Sequence, residues 1–589
     1  MDKSLDSIDS GSNYKFGDKM LQPQLARSLF DLSHLNSLTI DNAGSLIPIA
    51  CKEVNPNEDH EISVNTLLRV LPQVVPLYSR QRLYIYAFYS RACDLWKDAH
   101  AYYKKGWDGN LVLNKPKLTA DNMPNFDEVI KPESLCDYLG LPIGFSPKTL
   151  SASGQINCLP FFMYEKIYQA YFMEKNLYMN NRAWLPNDNA DLRIGSDNNV
   201  ISNSYETKNK ITLGSLHFRN YPQDYFTSCV PSPTRGTPPS LNFGSVDFSG
   251  LELFKSGPDI SISEDARYPV DFDSIFWTGG KLKPYYIKMS LKDLNTSGEA
   301  YLQTKERIFR AAQPNSLKEL NRFYASELSS HNTVNISLTL DSFRHLAIAT
   351  EELERMARTD GSYIDFGLTF FGEVCKNALD YRPILFGATY QSIAFSEVLQ
   401  TGSSTDNSPL GAYAGHGISV TSDNGYLGKI HTDDYGYIMI IASIMPDVYY
   451  SQGLDKMWTK SLQSEEFLPN RAKMGLIPVL NKELYATGNP DNDNGLFAYQ
   501  NPFDELRYEP SHIHGKIADP ANLSFFPYTQ SRKFTSVPTY SQSFFSADKV
   551  RKDYLAGGTA ESAYTAQFAF NWRAVRPLPY IGAPATIIN

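Results

Sequence analysis

Apolar and polar residues alternate with a period of two along several stretches of this chain, and that period predicts half-buried strands. Leu38 and Ile40 alternate with polar neighbours, Asp41 to Gly44 makes a turn, and Leu46, Ile47, Ile49 and Cys51 follow with Pro48 inside the run. Proline removes a ladder donor, so this strand is expected at a sheet edge or at a bulge. Ile62 and Val64 begin a second strand that continues through Leu67, Leu68 and Val70, and LYIYAFY from Leu83 to Tyr89 is a third, dense in aromatics. Tyr437 to Met445, YIMIIASIM, reads as the most buried strand and is too short to span a bilayer. Ser511 to Ile517 and Gln567 to Asn571 are weaker strand patterns.

Helical periods interrupt these strands. One helix is expected from about Asp94 to Tyr103 and a short one near Ser134 to Leu139. A longer one starts at Pro160, a residue suited to a first helical position. Its face is Phe161, Tyr164, Ile167, Tyr168, Tyr171, Phe172 and Leu177, which should pack on a sheet. Asp341 or Ser342 can cap a helix with Phe343, Leu346, Ala347, Leu353, Met356 and Ala357 on its apolar face, ended by Gly361. Between Pro231 and about Asn335, Gly, Ser, Pro and Asp rise and periodicity fades except near Leu317 to Leu328, which predicts an insertion rather than a plain loop. The expected organisation is an N-terminal arm (1–26), a discontinuous core (27–236 and 334–589) and an inserted variable region (237–333). No fixed-period repeat occurs, and helices within a β-rich chain suggest a jelly roll with very long loops.

Composition sharpens this picture. Among 589 residues there are 37 Tyr and 33 Phe, which suit strands and contact surfaces, while 35 Pro and 36 Gly imply many turns and long connections. A net charge of -9 argues against a surface devoted as a whole to phosphate. Cys51, Cys93, Cys136, Cys158, Cys229 and Cys375 form no C-x-x-C pair, so free thiols in a reducing cytoplasm are expected. The N-terminal residues lack an apolar signal region, and no run reaches a membrane span.

Candidate chemistry is sparse. His512 and His514 would share a face of a strand as two metal ligands do, but no third ligand is near in sequence. PDNDNG around Asp491, Asp493 and Gly495 lacks the spacing of a calcium loop. Glu351, Glu352 and Glu354 fall on the polar side of their helix, and GAYAGHG from Gly411 to Gly417 does not follow a strand as a nucleotide-binding loop would. No catalytic residue, metal site or cofactor is expected. Nucleic-acid contact has more support: Lys549, Arg551 and Lys552 cluster, and Trp572, Arg573 and Arg576 combine an aromatic face with cations, the means by which single strands are held. The competing reading pairs Arg573 and Arg576 with acids at a subunit contact.

Eight blocks in order resemble the major capsid proteins of microviruses, in particular the gokushovirus-like branch. They are RSLFDLSH (Arg27 to His34), NAGSLIPI (Asn42 to Ile49), SLCDYLGLP (Ser134 to Pro142), DYFTSCVPSPTRG (Asp224 to Gly236), ALDYRPILFG (Ala378 to Gly387), PLGAYAGHG (Pro409 to Gly417), YSQGLDKMW (Tyr450 to Trp458) and AVRPLPYIGAP (Ala574 to Pro584). The chain departs from frequent family wording at Ser232 and at Tyr89-Ser90-Arg91. The resemblance implies an eight-stranded antiparallel jelly roll of viral capsid type with long loop and helical insertions. It also implies a self-assembling icosahedral shell around a circular single-stranded DNA genome, built in a bacterial cytoplasm with internal scaffolding and DNA pilot proteins. The 237–333 insertion would form a surface protrusion that attaches to a host receptor, without membrane insertion. The alternative is a carbohydrate-binding protein or glycosidase, which needs paired carboxylates roughly 5 to 10 Å apart.

Overall fold

The computed structural model describes residues 27–178, 193–194, 200–201, 213–237, 277–278, 281–282, 340–359, 362–374, 382–396, 415–420, 425–556 and 561–580. The chain divides into two compact units, Met1–Gly236 with Leu353–Asn589, and Thr237–Glu352. Within the second unit the described residues are Thr237, the short pair Trp277–Thr278 with Lys281–Leu282, and residues 340–352 of a helix, Leu340–Ala357. The expected arm, the Leu317 to Leu328 period and Gly361 lie outside the described residues.

The first unit is a jelly roll. Its strands are β1 (Ser28–Asp31), β2 (His34–Ile40), β3 (Ile47–Val54), β4 (Glu58–Val70), β5 (Gln81–Arg91), β6 (Ile384–Ser396), β7 (His416–Val420), β8 (Tyr426–Thr432), β9 (Gly436–Pro446) and, after a small hairpin of β10 (Ile477–Leu480) and β11 (Leu496–Gln500), β12 (Tyr564–Arg576). The large antiparallel sheet runs β1, β12, β4, β7, β6, β5, β9, β3. Two positions are shared end to end: β1 and β2 pair with successive parts of β12, and β8 and β7 with successive parts of β4. Ten strands thus fill the eight lateral positions of a jelly roll. β12 is far longer than its weak period suggested, because small inward Ala566 and Ala574 dilute the apolar signal between Phe568, Phe570 and Trp572.

Strand β9 explains why its sequence reads as continuously apolar. Ile438, Ile440, Ala442 and Ile444 join the barrel interior, whereas Tyr437, Met439 and Ile441 join a second core on the opposite face of the sheet. That second core is covered by helices α1 (Ala92–Leu95), α2 (Ala99–Lys104), α3 (Leu135–Tyr138) and α4 (Leu159–Ile167). The helix expected from Asp94 to Tyr103 is broken: Trp96 is extended at φ -134° and fully buried, and its side chain anchors the break in the second core. α4 also ends early, passing into a π-helical turn over Tyr168–Phe172, and every residue from Phe161 to Ile167 is buried. Its buried Glu165 meets His217 at 2.8 Å and Lys166 Nζ donates to the Asp94 carbonyl at 2.6 Å, so both polar groups are satisfied.

Pro48 sits where the sequence demanded. β3 is the last strand of the sheet, and its pairing with β9 slips by one residue between Ile440 opposite Ala50 and Ile441 opposite Pro48. Its open edge faces β2 across a groove of about 860 Å³, bridged by Asn36 Nδ2 donating to the Ile49 carbonyl at 2.6 Å. A different closure joins β6 to β8, where the backbones touch without a ladder. A Cβ on Gly387 would lie 2.2 Å from the Leu427 carbonyl oxygen, and one on Gly428 would lie 2.7 Å from that of Phe386. Each glycine follows a bulge in its own strand. Ser511 to Ile517 is not a strand; it holds one bridge, Tyr450 with His512, and a 3-10 turn over Gly515–Ile517.

Candidate functional site

The six residues expected to touch nucleic acid lie in two places. Lys552 is buried and donates to Asp41, beside the start of β12 where the Ala563 N–H meets the Asp41 carbonyl. Arg551 stacks its guanidinium 3.7 Å from the Phe526 ring centre and pairs with Asp553. Both therefore hold loops together, and Lys549, at the end of a 3-10 turn, is the exposed cation of the three. Arg573 and Arg576 sit at the other end of β12; the nine residue steps from Tyr564 to Arg573 span roughly 30 Å of strand. The six do not form one surface.

Trp572 offers no aromatic face to a base, a correction to the expected stacking. Its position on β12 points inward, and the ring is fully buried in the barrel. Indole Nε1–H donates to His60 Nδ1 at 3.1 Å, and His60 Nε2 meets Glu58 Oε2 at 3.0 Å. An indole can only donate, so Nδ1 accepts and the proton of a neutral imidazole sits on Nε2. Burial lowers the His60 pKa, against the pull of Glu58, which agrees with that neutral form. Arg576 forms an ion pair with the same group, its Nε 3.4 Å from that Glu58 oxygen. The ion pair foreseen for Arg576 at a subunit contact is made within the chain. Arg573 stays exposed, opposite Asp31 in the ladder.

The remaining motifs resolve as local structure. His512 pairs with Glu509 at 2.8 Å and stacks on His514 at 6.0 Å. Asp493 accepts from the backbone N–H groups of Thr487 and Gly488 at 2.8 and 3.0 Å, bonds that lower its pKa and close a polar turn. Glu351 and Glu352 are exposed on their helix, and much of GAYAGHG lies outside the described residues. Burial pushes the thiols of Cys51 and Cys158 up to about 12 and that of Cys136 up to about 11, leaving them unreactive. None of the described residues forms a helix long and apolar enough to cross a membrane.

Sequence reasoning missed two features. Cys93, His100 and Asp434 bring ligand-type atoms within 4.8 Å of one another, although 334 residues separate His100 from Asp434. Large apolar side chains also stand in solvent outside the jelly roll: Trp107 is 94% exposed, Phe371 77% and Trp458 73%. Phe371 ends a helix, Tyr363–Phe371, that is rich in apolar residues yet buries none.

Comparison with known proteins gives this arrangement a context. The family described as "Capsid protein (F protein)" matches residues 20–586. The chain is 25% identical to the capsid protein VP1 of Chlamydia phage 1, over 95% of this chain and 96% of that protein. It is 24% identical to the VP1 of Spiroplasma virus 4 (95% of each chain) and 25% identical to the VP1 of Bdellovibrio phage phiMH2K (92% of each). Such relatives lend no support to a carbohydrate-binding protein or glycosidase.

Proposed function

Since the chain belongs to the phage F capsid protein family, we propose that copies of it close into the icosahedral shell of a small virion around a single-stranded DNA genome. The single observation that carries this is a family match spanning nearly the whole chain, over a jelly roll that fills all eight positions. The role is structural. Assembly proceeds by symmetric self-association, in which apolar loops outside the barrel, such as those carrying Trp107, Trp458 and the Tyr363–Phe371 helix, are covered by neighbouring copies. Expressed protein should sediment as particles and show closed shells by electron microscopy. A chain that stays monomeric even with scaffolding protein and DNA present would overturn this reading.

The 237–333 region is assigned to a surface protrusion that contacts the bacterial receptor. Its support is its composition and its place within a separate compact unit, Thr237–Glu352. Deleting it and bridging the ends should leave shells that form but no longer attach to host cells; loss of the folded barrel would refute the assignment. Genome contact is assigned to exposed cations, Lys549 and Arg573 among those first considered.

A further inference from the structure

We propose that Cys93, His100 and Asp434 bind a zinc ion that fastens the turn between β8 and β9 to helices α1 and α2. Cys93 and His100 are seven residues apart, and on one continuous helix they would be about 10.5 Å apart along the axis, too far to share a cation. The extended backbone at buried Trp96 separates α1 from α2, so the two residues do not lie on one continuous helix. Cys93 Sγ, a ring nitrogen of His100 and a carboxylate oxygen of Asp434 then lie within 4.8 Å of one another.

Contacts that do not use the three donor atoms hold them there. The Ala92 N–H donates to the Tyr435 carbonyl at 2.6 Å, the Tyr89 hydroxyl donates to the Asp434 carbonyl at 3.0 Å, and the rings of Tyr103 and Tyr435 stack 3.9 Å apart. The site is therefore assembled by the fold rather than by the ion. Ligands about 2.0–2.3 Å from a tetrahedral zinc are about 3.3–3.8 Å apart, so the widest pair need close by only about 1 Å.

The donor set selects the metal. Thiolate and imidazole suit zinc and are poor ligands for magnesium or calcium, which take oxygen. The surroundings are acidic: Asp94 and Asp433 flank the site, sharing Arg91 at 3.1 and 4.0 Å. A dication neutralises these charges, and the thiol proton leaves to solvent as the metal–sulfur bond forms. His100 is exposed, which gives the ion a way in and leaves the fourth position to water.

The test uses the full chain, stripped with a chelator and titrated with Zn²⁺ against a chromogenic competitor, and with Co²⁺ as a spectroscopic probe. One Zn²⁺ should bind per chain, and Co²⁺ should give a thiolate-to-metal charge-transfer band. Cys93→Ser should abolish the band, and His100→Gln and Asp434→Asn should each weaken zinc roughly tenfold or more. His100→Gln changes an exposed side chain and should keep the fold, so a folded His100→Gln protein that binds zinc as the parent does overturns the proposal, as does a parent that binds none. Zinc should also raise the melting temperature of the parent and not of His100→Gln.

Discussion

The contact between β6 and β8 makes Gly387→Ala a sharp test of how this barrel closes. The added methyl would stand 2.2 Å from the Leu427 carbonyl oxygen, 2.8 Å from its carbonyl carbon and 3.2 Å from Leu427 Cγ. Ordinary contact begins near 3.4 Å, so the backbones must part by about 1 Å. The obstacle is main chain, and no rotamer relieves it. Overpacking of this kind costs about 1–3 kcal/mol, roughly a 5- to 150-fold fall in the folded-to-unfolded ratio. Urea unfolding of the dissociated subunit reads this as a lower midpoint at unchanged slope. Gly154→Ala is the control: its φ of 174° is ordinary extended backbone and no atom lies within 4 Å, so alanine there should be neutral or slightly stabilising. Truncating Leu427 to alanine should not rescue Gly387→Ala, because the clash is with the carbonyl group. If the two alanine variants unfold within about 0.5 kcal/mol of each other, the glycines do not set the approach of β6 to β8 and the reasoning is wrong.

Two further outcomes are expected. Burial holds the His60 imidazole below its ordinary value of 6.5, so as pH falls the unfolded chain takes up a proton before the folded one. The stability tied to this group should be whole above about pH 6.5 and be lost as pH falls toward the lower folded value; an unfolding series in which His60→Gln shows the same loss as the parent would contradict this. For nucleic acid, Lys549→Ala and Arg573→Ala should each reduce the salt slope of single-stranded DNA binding by about 0.7 without changing stability. Lys552→Ala should do the reverse, because its buried ammonium holds Asp41 instead.

The strand framework was legible because its residues obey one period. Ile62, Val64 and Leu68 face one core, and Pro48 announced an edge because proline cannot donate to a ladder. Local patterns were blind to what long-range packing decides. A three- to four-residue period spans Asp94 to Tyr103, yet the burial of Trp96 breaks it, and the cluster of Cys93, His100 and Asp434 exists only because of that break. Trp572 and its neighbouring arginines look alike as letters beside a C-terminus. The inward position of 572 on β12, visible in the alternation of Phe568, Phe570 and Trp572, separates a core indole from the exposed cation beside it.

β9 has every residue from Gly436 to Pro446 buried and is a wall common to the barrel interior and the helical layer. Neither layer can open while the other stays intact without exposing one side of that strand, so the two should melt as a single cooperative unit. Amide hydrogens of Ile438 to Ile444 should then be among the slowest in the chain to exchange, and a subunit should enter assembly fully built or not at all.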